Sequence, residues 1–125
     1  MIGYVMVGTN NLIQAVKFYD ELLKIFGLSK VEEYDREIGY APSSGVVEFW
    51  VCKPFNGESA TFGNGSMIAF KVDSTKIVDV FHQTAMNLGA KNEGDPGPRP
   101  EDGDCYYAYC RDLDGNKLCV YCPSK

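Results

Sequence analysis

One pattern of elements occurs twice along this chain, and that duplication restricts the fold more than any other feature. An apolar, strand-like run at residues 2–8 leads into a helical stretch, and strand-like pieces follow near 30–35, 37–41 and 46–52. A second strand-like run at 66–72 leads into a second helical stretch, and strands near 105–111 and 117–122 close the pattern. Sliding one half on the other by about 63 residues sets Tyr4 on Met67 and Phe18 on Phe81, and a one-residue slip sets Gly27 on Gly89. In the later strands a shift of 71 sets Glu48 on Cys119 and Trp50 on Tyr121. The match is of pattern rather than of identity. It predicts two βαβββ units related by a pseudo-twofold. Each helix covers the outer face of its sheet and leaves the inner face to wall a cavity. The expected fold class is α+β: paired βαβββ modules, two half-sheets around a concave cavity, with the helices outside.

Local chemistry supports the helices and turns. Asn10 or Asn11 caps the first helix, with Gln14 three residues after Asn11. Leu12, Val16, Tyr19, Leu22, Leu23 and Phe26 fall at the spacing of one helical face, and Gly27 suits the position past the end. Lys17 with Glu21 and Asp20 with Lys24 are spaced as ion pairs on the wet side. Asp73 or Ser74 caps the second helix, which carries Ile77, Val80, Phe81, Ala85 and Leu88 and ends at Gly89. Turn residues fill 42–45 and 112–116, and a Gly/Pro-rich acidic loop is expected over about 93–104. The chain reads as a single domain over 1–125: module one at about 1–56, a linker at about 57–64 and module two at about 65–125.

Composition excludes several classes. At 45% hydrophobic and 23% charged the chain is globular rather than disordered. Twelve Lys and Arg against 17 Asp and Glu leave a net charge of −5, which argues against nucleic acid or an anionic membrane as partner. No apolar run approaches the roughly 18 residues that cross a bilayer, and no export signal opens the chain. A cytoplasmic location is expected. The five cysteines then read as free thiols. Cys119 and Cys122 have the C-x-x-C spacing but sit in a strand-like run, where residues three apart point to opposite faces.

Alternation along the strands selects the cavity-facing residues. Val5 and Val7 pack on the helix, so Tyr4 and Met6 face inward. Glu48, Trp50 and Cys52 follow on the last strand of module one. Met67, Ala69 and Lys71 face inward from the second module, as do Cys119 and Tyr121. A one-residue slip reverses the whole set. Glu48 is either an acid, base or ligand-binding group of raised pKa, or a carboxylate that is solvated or paired with Lys71. Tyr4, Met6, Trp50, Met67 and Tyr121 line a concavity suited to a flat or apolar molecule. Arg99, in the stiff stretch 95–100, is a candidate for an anionic group of that molecule.

The chain resembles the vicinal oxygen chelate superfamily of glyoxalase, bleomycin-resistance and extradiol dioxygenase proteins. The opening strand running into Asn10-Asn11-Leu12 and the run from Ala15 to Tyr19 carry the resemblance, with the piece from Gly63 to Phe70. The run from Tyr109 to Leu118, with Asp112-Leu113-Asp114-Gly115-Asn116 at its centre, is the most specific part. The resemblance implies four metal-ligand positions, which fall on Tyr4, Glu48, Met67 and Cys119. Only Glu48 keeps a ligand type of the family, and the lone histidine, His82, falls on a helix flank. A carboxylate, a thiol, a phenol and a thioether make a poor site for the divalent ions such enzymes use. The expectation is a small-molecule-binding protein with no catalytic metal. The alternative is a lactoylglutathione lyase-like or other enzyme of the superfamily. It would use Glu48 as base, with or without a divalent metal at Glu48 and Cys119. The resemblance also implies a homodimer.

Overall fold

The computed structural model describes residues 1–124. Module one runs β1 (Val5–Gly8), α1 (Leu12–Lys24), β2 (Ser29–Glu33), β3 (Glu37–Ala41) and β4 (Phe49–Cys52). Module two repeats the order with β5 (Ile68–Lys71), α2 (Thr75–Asn87), β6 (Lys91–Pro98), β7 (Tyr106–Arg111) and β8 (Lys117–Cys122). Each module forms a four-stranded sheet, ordered β1-β4-β3-β2 and β5-β8-β7-β6. In both, the last strand lies parallel to the first and antiparallel to its other neighbour. The fold is α+β with paired modules, and the two sheets do not close on each other as a barrel.

The caps resolve as Asn11 and Ser74, whose side chains accept from the backbone N–H of Gln14 and Ile77. Asn10 instead ties the module junction, exchanging bonds with the backbone of Ala60 and donating its backbone N–H to the Asp114 carboxylate.

The helix-facing sides of both sheets share one core. Phe18, Tyr19, Leu22 and Leu23 of α1 meet Ile38, Tyr40, Phe49 and Val51. Val78, Phe81 and Ala85 of α2 meet Ala108, Cys110, Leu118 and Val120. Each fully buried side chain of this size contributes about 1.5–3 kcal/mol. The halves fuse through aromatic rings: Phe26 stacks on Phe70 at 4.7 Å and on Phe81 at 5.4 Å, and Phe49 lies 6.0 Å from Phe70. Each sheet therefore turns its helix side inward to a common core and leaves its other face open.

Three expectations are corrected. The acidic Gly/Pro stretch is not loop throughout, because β6 occupies Lys91–Pro98. It is an edge strand with breaks in register at Gly94 and Gly97, a position where proline and bulges are tolerated. Module two thus has all four strands of module one. His82 lies on the flank of α2 as expected, but that flank is not open to solvent. The added strand covers that helix flank, and His82 is buried with Nε2 2.9 Å from Oδ1 of Asn92. The helix ion pairs also differ. Lys24 pairs with Glu21 rather than Asp20, and Asp20 turns toward Lys30 and the hydroxyl of Tyr40.

Candidate functional site

The open face of the first sheet carries Tyr4, Met6, Glu48 and Trp50. Tyr4 is 58% exposed and Met6 45%, whereas Val7, on the opposite face, is 6% exposed. Trp50 lies across the strand from Gly39. A Cβ on Gly39 would stand 2.8 Å from the indole Cζ3, so the missing side chain is what lets the ring lie flat on β3. Tyr4 meets the indole edge to face at 6.4 Å. Glu48 is exposed, and its backbone is held by the ladder: its N–H donates to Tyr40 and its carbonyl accepts from Val5. Among the described residues, no side-chain hydrogen bond or ion pair fixes its carboxylate, and Lys71 is not its partner.

The second sheet presents Met67, Lys71, Cys119 and Tyr121 on its open face. Met67 is 47% exposed. It shares a groove of about 250 Å³ with Met6, Gly8, Phe62, Ser66 and Lys117, where the edges of β1 and β5 approach. Cys119 is buried although it is on this face, because it sits directly opposite Tyr109 on β7. Burial pushes its thiol up to about 11. Arg99 lies just past β6. Its guanidinium donates to the carbonyls of Asp95 and Pro98.

The side chains at the four ligand-type positions do not suit a divalent metal. Cys119 offers a buried thiol, and Glu48 is the one carboxylate among the four. Met67 offers a thioether and Tyr4 a phenol, and hard or borderline cations favour neither. Among the described residues, no three His, Cys, Asp or Glu side chains gather as a metal site.

Tyr107, Tyr109, Arg111 and Lys117 were not among the sequence-derived candidates, yet they complete this face. Buried Ala108 and Cys110 on β7 alternate with them. That alternation is readable in the sequence once the strand is paired with β8. The three rings of Tyr109, Tyr107 and Tyr121 stand nearly parallel. Burial raises the phenol pKa of Tyr107 and Tyr109, with the neighbouring Cys105 and Cys119 adding to it. Glu93 is taken up by Arg111, whose hydrogen bond holds its carboxyl below the usual range.

Comparison with known proteins agrees with this geometry. The chain matches the family model of the Glyoxalase/Bleomycin resistance protein/Dioxygenase superfamily over residues 1–120. A glyoxalase/bleomycin resistance protein from Albidiferax ferrireducens T118 superposes with TM-score 0.84 at 37% identity, covering 96% of each chain. A glyoxalase/bleomycin resistance protein/dioxygenase family enzyme from Burkholderia phytofirmans PsJN shares the fold at TM-score 0.72 and 18% identity, covering 97% of each chain. A glyoxalase-related enzyme from Fulvimarina pelagi does so at TM-score 0.75 and 19% identity, covering 98% of this chain and 87% of its own. No match is found among curated proteins. The repeated module, the open sheet faces and the match over nearly the whole length place this chain in the glyoxalase/bleomycin resistance protein/dioxygenase superfamily.

Proposed function

We propose that this protein binds a small organic molecule on the open faces of its sheets, without a catalytic metal, and that a second copy completes the cavity. The observation that carries this reading is the exposure of Tyr4, Met6 and Met67 on faces whose helix sides are fully packed. Contiguous exposed apolar surface of this kind marks a binding face. The groove between β1 and β5, at about 250 Å³, is smaller than the roughly 300–1,000 Å³ of pockets that enclose drug-sized ligands. A homodimer that covers the open faces would supply the missing walls. The relative at 37% identity bears a name that joins glyoxalase with bleomycin resistance protein. Binding is favoured over the lyase or isomerase alternative because a general base must be positioned against its proton, and among the described residues no ion pair holds the exposed Glu48 carboxylate. Five unpaired thiols suit a reducing, cytoplasmic setting.

The test is titration of the fluorescence of Trp50, the lone tryptophan, against a chemically varied ligand panel, with sedimentation run in parallel. A saturable change for one ligand class and a dimeric mass are expected. A panel with no responders would overturn the binding reading, and a monomer at all concentrations would overturn the shared cavity.

A further inference from the structure

The charge on the open face of the second sheet runs against that of the whole chain. Net charge is −5, yet this face carries Lys71, Arg111 and Lys117, with Arg99 at its border. Glu93 is committed to Arg111. Among the described residues, no ion pair engages Lys71, Arg99 or Lys117. Three unneutralised cations thus surround one patch.

The patch between them is a stack of rings. Tyr109 and Tyr107 lie 6.0 Å apart with planes 1° from parallel, and Tyr107 and Tyr121 lie 5.3 Å apart at 14°. Both ends are cationic. Lys117 Nζ stands 5.5 Å from the centroid of the Tyr109 ring, and Lys71 pairs across the strand with Tyr121. The neighbouring edge strand leaves the stack uncovered. Gly94 faces Tyr109 at a place where a Cβ would come within 2.8 Å of the ring, and a Cβ on Gly97 would come within 3.0 Å of Arg99. The Arg99 guanidinium is oriented by the carbonyls of Asp95 and Pro98, at 2.9 and 3.1 Å, and keeps further N–H donors free.

We propose that this face, rather than the tryptophan face of module one, selects the ligand, and that the ligand class is a planar aromatic anion such as an aryl carboxylate. The proposal rests on the small-molecule reading above. A flat ring extends a stack of parallel rings. An anionic substituent on that ring meets Lys71 at one end, or Lys117 and Arg99 at the other. A cationic or strongly three-dimensional ligand gains neither contact. The phenols of Tyr107 and Tyr109 are raised from their ordinary range and are hydrogen-bond donors at neutral pH.

The experiment is calorimetric titration of the intact protein with 2-naphthoate, with neutral 2-naphthalenemethanol and non-planar cyclohexanecarboxylate as controls. Naphthoate is expected to bind about tenfold more tightly than either control, since the alcohol lacks the charge contact and the cyclohexane acid lacks the ring contact. The double variant Lys71→Gln, Lys117→Gln should remove the preference over the alcohol and leave the alcohol's own affinity unchanged. Tyr121→Leu should weaken both aromatic ligands about tenfold. Naphthoate affinity equal to that of the controls, or untouched by the lysine pair, would overturn the proposal. The two readings fail separately. If another panel compound binds and naphthoate does not, the ligand class falls and the binding reading stands. If no panel compound binds, both fall.

Discussion

The hydroxyl of Tyr19 on α1 donates a 2.5 Å hydrogen bond to Oδ2 of Asp112, 93 residues away in the turn between β7 and β8. Asp112 is buried, and its other oxygen accepts from the backbone N–H groups of Asp114 and Asn116. The Asn116 amide donates to Oδ2 of Asp112 and to the carbonyl of Gly8 at the end of β1. One carboxylate thereby ties the turn of module two to the helix and first strand of module one. Burial and the adjoining Asp112 charge push the Tyr19 phenol well above its ordinary value.

Removing one donor tests this junction. Tyr19→Phe should cost about 1–3 kcal/mol, the range for leaving a buried acceptor short of a partner. Asp112→Ala should cost more, because four donors lose their acceptor at once. Urea unfolding curves measure both, and an unchanged midpoint for Tyr19→Phe would refute the role.

The aromatic seam should couple the modules. Phe26 stacks on two rings of the other half, so Phe26→Ala should destabilise by about 2–4 kcal/mol. Unfolding followed by Trp50 fluorescence reports module one, and far-ultraviolet dichroism reports the whole chain. The two midpoints should coincide in the wild type and fall together in the variant.

The glycine under Trp50 should tolerate no side chain. Gly39→Ala places a Cβ 2.8 Å from the indole, so the ring must tilt away, at a cost of about 1–3 kcal/mol. The emission maximum should shift with the tilt. Wild-type emission together with wild-type stability would contradict the packing.

Alkali should destabilise the fold through its thiols. Burial raises Cys110 to about 12 and Cys119 to about 11, from an ordinary 9.0. The folded chain therefore holds these protons more tightly than the unfolded chain. That stabilisation is whole below pH 9.0 and is lost as pH rises through the folded values. The raised phenols of Tyr19 and Tyr40 act with the same sign. Unfolding free energy should fall steadily from about pH 9 to pH 11, and Cys119→Ala should flatten part of the slope. A flat profile would refute the assignment.

Most of the architecture was legible because two signals agreed. Helical spacing placed α1 and α2, and strand alternation put Val7, Phe49 and Val51 on the packed side and Tyr4, Met6 and Trp50 on the open one. β6 was hidden because Pro96, Pro98 and two glycines read as loop. Only pairing with β7 makes that segment a strand. The burial of His82 was hidden for the same reason, since the element that covers it was not foreseen. The tyrosine stack needed cross-strand register: Tyr107 and Tyr121 are 14 positions apart in sequence and become neighbours only in the ladder. The burial of Cys119 followed from that register too, because its cover is Tyr109.

The last strand of each module occupies the middle of its sheet, between the first strand and the third. During synthesis, β1 has no sheet partner until β4 has left the ribosome, and β5 has none until β8 has. Module one can assemble while module two is still emerging. Module two must keep β5 and one edge of β7 unpaired until Lys117–Cys122 arrives. A nascent chain stalled before that strand lacks the centre of its second sheet rather than an edge, which makes this segment the vulnerable interval for aggregation.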